Sequence, residues 1–384
     1  MINVCISGSE HDSSLCILDD EKVLLYVQEE RVSRLKRDSN LPFSFLSLVK
    51  NYTKEIDNLI LVNFCDYDYK SDKSYSHRIC LNYLNKQGIE IKNIELDSQQ
   101  HHFYHASSAF YGSGFDDAIC LIIDGWGAQF PLDDGENYIQ GSETSSIYYA
   151  SYPSNFELLY KNLHYDPQLF SSSNFPEIPS AWDANPSLDI GVVYGTITHH
   201  LGFHREDAGK TMGLSSYGQE DAELPEFNFK KTILSDRNLF LPNRTVNEKY
   251  FPEMKVDLND FQKRANIAYK VQKYLEEVFL YRVKQAITLK PNCNNLVLSG
   301  GCALNILGNT LIKKNFPHLN IYIDPVSNDG CQAYGAVKYF YYSNTESKTK
   351  CPLTTVYHGP KYDLNYMKKL VEFEVMKYNK TLEI

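Results

Sequence analysis

The chain opens with three runs in which apolar residues fill almost every interior position, INVCISG, SSLCILDD and KVLLYVQEE, with the acidic pair Asp19 and Asp20 between the second and third. Short apolar runs bounded by turn residues read as buried strands, and two such runs joined by a polar pair read as a hairpin. The same pattern returns at AICLIIDGWG, followed by SSIYYASYP and FELLYKNL. Between the copies, LPFSFLSLVKNYT reads as a helix and NLILVNF as a strand, so strands and helices alternate in an α/β manner. From Leu258 to Leu289 the positions Phe261, Ala265, Ala268, Val271, Leu275, Val278, Phe279, Val283 and Ile287 keep helical spacing. They predict one long core helix, capped by Asp257 or Asn259. Two strand–loop–helix units follow, in NLVLSGGCALNILGNTLIKKNF and IYIDPVSNDGCQAYGAVKYFYY, and both loops are expected at one edge of a sheet.

Two units that begin alike point to a duplicated, two-lobed α/β fold with a cleft between the lobes, as in the actin-like ATPases and sugar kinases. The stretch from Pro131 to Asp189, rich in Asn, Pro, Ser and Tyr, is expected to be an insertion with its own hairpin and to wall a substrate pocket; its Trp182 and tyrosines suit stacking on sugars or bases. Composition narrows the partners. With 38 Lys and Arg against 48 Asp and Glu, a net charge of -10, the chain disfavours a surface built to grip nucleic acid. No apolar run is long enough to span a bilayer and the first residues carry no basic, then apolar, leader, so a cytoplasmic location is expected. The nine cysteines are scattered, never in a C-x-x-C pair, and read as reduced buried thiols.

The candidate chemistry sits at the strand ends. In HHFYH, His101 and His105 are four apart, so on a helix both face one way, at a spacing that suits two ligands on one metal; hydrogen-bonded histidines are the competing reading. His102 points about 100 degrees away. Asp124 ends a buried strand and Asp329 starts a helix in SNDGCQAYG; each is a turn or capping residue, or a further ligand facing the same cleft. Two imidazoles with two carboxylates suit iron, zinc or manganese. The turn LSGGCALN lets a phosphate or ribose approach backbone amides, or is a tight turn without a ligand. In REDAGKTMGLSSYG, Lys210 with Asp207 and Glu206 makes either an electrostatic and orienting group or a capped, solvated helix start. His11 and Asp12 in GSEHDSS form a candidate general base or a capping pair.

Taken in order, GSEHDSSLCILDD, QEERVSRLKRD, HHFYHASSAFYGSGFDDA, IDGWG, THHLGFHREDAGKTMGLSSYG, LVLSGGCALN and NDGCQAYGA resemble the O-carbamoyltransferases of the nodulation and antibiotic-tailoring type. Their N-terminal domain is similar to the tRNA threonylcarbamoyl-transferase proteins. The resemblance implies an actin-like domain over residues 1–345, a metal ion, iron first among the choices, held by His101, His105, Asp124 and Asp329, and a nucleotide near Gly300, Gly301 and Asn305. It implies that carbamoyl phosphate and ATP give carbamoyl adenylate in a YrdC-like domain, and that the carbamoyl group then passes to an acceptor hydroxyl. His11, with Asp12 or Asp207, is the implied activating group and Lys210 the electrostatic support. Residues 346–384 look like the linker and helix leading into that second domain, which is expected to be absent from this chain and supplied by a separate YrdC-like partner subunit. Carbamoylation of a hydroxymethylated base in nucleic acid and a non-catalytic nucleotide-binding subunit are the alternatives.

Overall fold

The computed structural model describes residues 1–8, 11–64, 74–97, 100–133, 138–164, 179–185, 190–224 and 259–377. The opening pattern folds as a hairpin followed by parallel strands: β1 (Ile2–Ser7), β2 (Ser14–Asp19), β3 (Lys22–Gln28), the short helices α1 (Glu29–Ser33) and α2 (Leu46–Val49), β4 (Glu55–Val62), α3 (Ser74–Lys86) and β5 (Glu90–Asp97). The next helix, α4 (His101–Ser113), leads to β6 (Asp117–Ile123), β7 (Gln129–Asp133), β8 (Tyr138–Ser151), β9 (Asn155–His164) and β10 (Trp182–Asn185). Then come α5 (Ile190–His200), α6 (Ala208–Ser215), α7 (Phe261–Leu289), β11 (Asn295–Ser299), α8 (Ile306–Asn315), β12 (Asn320–Ile323), α9 (Gln332–Ser343) and α10 (Leu364–Lys377).

The duplication is visible in strand order. The first sheet runs β3-β2-β1-β4-β5, and the second contains β9-β8-β6-β11-β12, with β10 beyond β9 and β7 pairing β8. In both, the first three strands are antiparallel neighbours. The last two are parallel to the first. The stretch expected as an insertion therefore contributes, through β8 and β9, the second and third strands of the repeated unit. Within that stretch β7 also pairs antiparallel with β8; residues 134–137, 165–178 and 186–189 lie outside the described ones.

Strands buried on both faces explain the unbroken apolar runs. In β6, Ile119, Leu121 and Ile123 face α5 and α7, whereas Ala118, Cys120 and Ile122 face α4 and α9. In β1, Val4 and Ile6 face α2 and α3, whereas Cys5 faces inward to α4 and α9. The result is five layers, helices and sheets in turn, with α4 and α9 in the middle. The two central helices are exchanged. α9, from the second unit, packs on β1, β2 and β4, while α4, from the first, packs on β6, β8 and β11. They approach closely at Gly335, where a Cβ would overlap the Tyr104 carbonyl oxygen and lie 2.8 Å from Ser107 Oγ.

The long helix forms as its periodicity requires, with a different cap. The Asp260 carboxylate accepts the Lys263 N–H at 3.1 Å, so the cap is neither Asp257 nor Asn259. Of the expected helix in LPFSFLSLVKNYT only α2 is regular. Helix α10 leaves Leu364, Phe373 and Met376 exposed. The eight described cysteines are free thiols, six of them buried, and no helix among the described residues is long and apolar enough to cross a membrane.

Candidate metal centre

The middle layer and the adjoining end of β6 deliver four ligand-type side chains to one point. His101 and His105 project from the first turns of α4, Asp124 follows the end of β6, and Asp329 opens the 3-10 turn Asp329–Cys331 that leads into α9. One donor atom from each lies within 4.8 Å of every other. His101 Nε2 is 3.2 Å from Asp124 Oδ2, 3.3 Å from Asp329 Oδ1 and 3.3 Å from His105 Nε2. His105 Nε2 is 3.4 Å from Asp329 Oδ1 and 3.8 Å from Asp124 Oδ2. Donors about 2.1 Å from a shared ion sit roughly 3.0 to 3.4 Å from one another, so the residues present fit a metal ion.

Charge leads the same way. Burial disfavours every ionised group here, yet Asp124 and Asp329 are held below the usual carboxylate range by the facing imidazoles, and the two carboxylates lift His101 above that of an exposed imidazole. One divalent cation would match the charge of the two carboxylates.

Neighbouring groups orient the donors. His105 Nδ1 lies 3.1 Å from both Ser299 Oγ and Cys331 Sγ, which occupies that nitrogen and leaves Nε2 for the cluster. Asp124 Oδ1 accepts the Gly301 N–H at 2.9 Å, which turns Oδ2 toward the imidazoles. That bond depends on Gly300, whose φ of 89° is open to glycine and where a Cβ would overlap the Ile123 carbonyl. Gln332, fully buried, places its amide nitrogen 2.9 Å from His101 Nε2 and 3.4 Å from His105 Nε2. Its amide oxygen accepts from Asn63, at the end of β4, which ties the cluster to the first sheet.

The other sequence-derived residues separate into those near the cluster and those engaged elsewhere. His11 Nδ1 pairs with Asp12 Oδ2 at 2.8 Å. The hydrogen bond to Asp12 is the main cause of its pKa being raised to about 9, and the charges of Asp329 and Glu206 add to it. Asp207 is not its partner. It accepts from Lys36 at 2.8 Å, Arg37 at 2.6 Å and Lys210 at 2.8 Å, and Lys210, Lys36 and Arg37 together hold it well below the ordinary carboxylate range. Lys210 thus directs its charge to Asp207. The Asn305 side chain, expected beside a nucleotide, instead accepts the Gly308 N–H at 2.9 Å to cap α8 and exchanges two hydrogen bonds with Gln272. Gly301 N–H is likewise engaged by Asp124. Trp182 packs its ring 5.2 Å from that of Phe130. His102 faces Ser146 Oγ, 2.9 Å from its Nδ1, away from the four donors as its helical position requires.

A family model described as carbamoyltransferase N-terminus matches residues 43–337. The chain belongs to that carbamoyltransferase family. Among relatives, the uncharacterized protein sll1178 of Synechocystis is 24% identical over 409 residues, covering 93% of this chain and 60% of that protein. The nodulation protein NolNO of Sinorhizobium fredii is 22% identical over 396 residues, covering 97% of this chain and 52% of NolNO. The chain thus spans about half to three fifths of the length of these curated relatives. Its fold is shared with full-length HypF in the phosphate- and nucleotide-bound form (TM-score 0.50, 14% identity, 90% of this chain and 56% of that one). It is shared also with T. kodakarensis HypF (TM-score 0.51, 14% identity, 89% and 48%).

Sequence reasoning missed Gln332, Ser299, Cys331, Asn63 and Glu143. Gln332 had a signal, lying three residues beyond Asp329 and so one helical turn away. Asn63 and Glu143 had none, because their places depend on pairings between distant strands.

Proposed function

We propose that the chain transfers a carbamoyl group from carbamoyl adenylate to a hydroxyl of a small-molecule or nucleoside acceptor, with His101, His105, Asp124 and Asp329 as the ligands of one divalent metal ion. The convergence of four buried donor atoms within 4.8 Å, in a chain of this family, carries the reading. Bound there, such an ion would supply positive charge to an anionic phosphate group. His11, oriented by Asp12, accepts the proton of the acceptor hydroxyl. Its raised pKa makes the basic form grow as the pH rises through about 9. Below that pH its imidazolium donates a hydrogen bond toward an anion. Lys36, Arg37 and Lys210 surround the single carboxylate of Asp207, an excess of positive charge that would suit an anionic donor. Formation of the adenylate from carbamoyl phosphate and ATP is assigned to a YrdC-like unit outside these two lobes.

Elemental analysis of the purified protein is the first test. One equivalent of iron, zinc or manganese per chain is expected, and His105→Ala or Asp329→Asn should remove most of it. A protein that neither contains nor takes up a divalent ion would sink the metal assignment. For the transfer itself, the chain is mixed with carbamoyl phosphate, ATP and an acceptor, with and without a YrdC-like subunit. Full turnover by the chain alone would overturn the separate origin of the adenylate.

A further inference from the structure

Glu143 is fully buried on β8, and neither the ligand set nor the transfer chemistry uses it. Its carboxylate reaches two backbone segments that carry the ligands. Oε1 accepts the His102 N–H at 2.7 Å, in the first turn of α4, and the Ala128 N–H at 3.2 Å, four residues beyond Asp124. The residue before α4, Gln100, makes no side-chain cap, so Glu143 supplies from another strand the acceptor and negative charge that a helix start favours. Backbone bonds complete the arrangement. Glu143 exchanges N–H and carbonyl bonds with Ala128 and Gly127, at 3.0 and 2.8 Å, and the Asp124 N–H donates to the Thr144 carbonyl at 2.9 Å. The other carboxylate oxygen meets Lys161 Nζ at 2.5 Å, and that buried ammonium lies 4.1 Å over the Phe130 ring. Gly127 leaves room for this contact, since a Cβ there would be 2.5 Å from Glu143 Cγ and 2.8 Å from His102 Cδ2.

We propose that Glu143 is a positioning residue for the metal centre, a clasp that fixes the start of α4 to the segment after Asp124 and so sets the distance between the histidine and aspartate donors; Lys161 holds the clasp in its carboxylate form. The inference rests on the metal reading above. It differs from a purely structural role in what it demands of the ligand geometry.

The test compares two double variants with Co2+ as the probe, following its visible absorption bands, its affinity and the thermal midpoint of each protein. Glu143→Gln with Lys161→Met keeps an acceptor for both N–H groups and removes both buried charges; Glu143→Leu with Lys161→Met removes the acceptor as well. Oriented ligands depend on such neighbours by roughly 10- to 100-fold in metal affinity, so the Leu/Met protein should bind Co2+ that much more weakly, with altered bands, while the Gln/Met protein stays within about threefold of wild type. If the Leu/Met chain does not fold, Gly127→Ala, which pushes Glu143 and His102 apart while keeping the carboxylate, should show the same loss. Equal affinity and equal spectra in wild type and the folded acceptor-free or Gly127→Ala protein would overturn the clasp alone. Absence of Co2+ binding by wild type would overturn the metal reading and the clasp with it.

Discussion

His11 shows how a single pair sets the pH behaviour of the cleft. Its bond to Asp12 and the nearby Asp329 charge raise its pKa from 6.5 to about 9. In the folded protein it should titrate near 9 by NMR, and Asp12→Asn should move it back toward the ordinary histidine value. The sign for stability follows from linkage. A pKa raised on folding stabilises fully below about 6.5 and the contribution fades as the pH rises through the folded value near 9, so Asp12→Asn should flatten the stability profile in that window. At this scale the sequence was legible unevenly. The four-residue spacing of the histidines pointed to a shared face, and the face exists. Asp124 and Asp329 each had an equally good reading as a turn or cap, and only the ordered set of motifs joined them to the histidines. Asp207 and Asn305 are both engaged by neighbouring side chains, which the sequence did not foretell because polar residues beside glycine turns look alike whether they meet a ligand or cap a helix.

Among the elements, the α4–α9 contact is the most demanding. Helix axes come this near only where one side chain is absent, and Gly335 lies against the Tyr104 carbonyl. Gly335→Ala should destabilise the protein by about 3 kcal/mol, at the upper end for overpacking because backbone is what must move; chemical denaturation checks it, and a change under 1 kcal/mol would mean that the helices slide apart freely. The strands were largely readable, because burial on both faces leaves unbroken apolar runs. Their grouping was not. Ser142, Glu143, Thr144, Ser145 and Ser146 are all buried in β8, a polar stretch no strand pattern would place in a core, and this helped make a central hairpin look like an insertion. The α7 cap was missed narrowly, since Asp257, Asn259 and Asp260 are all competent and the first turn alone selects Asp260.

The whole molecule ties the proposed ion to the union of both lobes. His101 and Gln332, neighbours at the site, are 231 residues apart in the chain. An ion that binds the native protein and not the unfolded chain should stabilise it by about 2.7 kcal/mol at a free concentration 100 times its dissociation constant. Both lobes should shift together in one calorimetric transition. A transition that splits on chelation, with one lobe unmoved, would show that only half of the fold senses the ion. Duplication was legible from two similar openings in the sequence, and the two strand orders bear it out. The exchange of helices was not, because nothing in the apolar pattern of a helix says which of two equivalent sheets it covers. That exchange has a further meaning for the origin of the repeat. Each half lends the other a lining, so a fragment ending before β6 would carry α4 with no sheet to lie on and a sheet with one bare apolar face. The present halves have become co-dependent, and an ancestral single unit would have needed a twin copy to fill the same place.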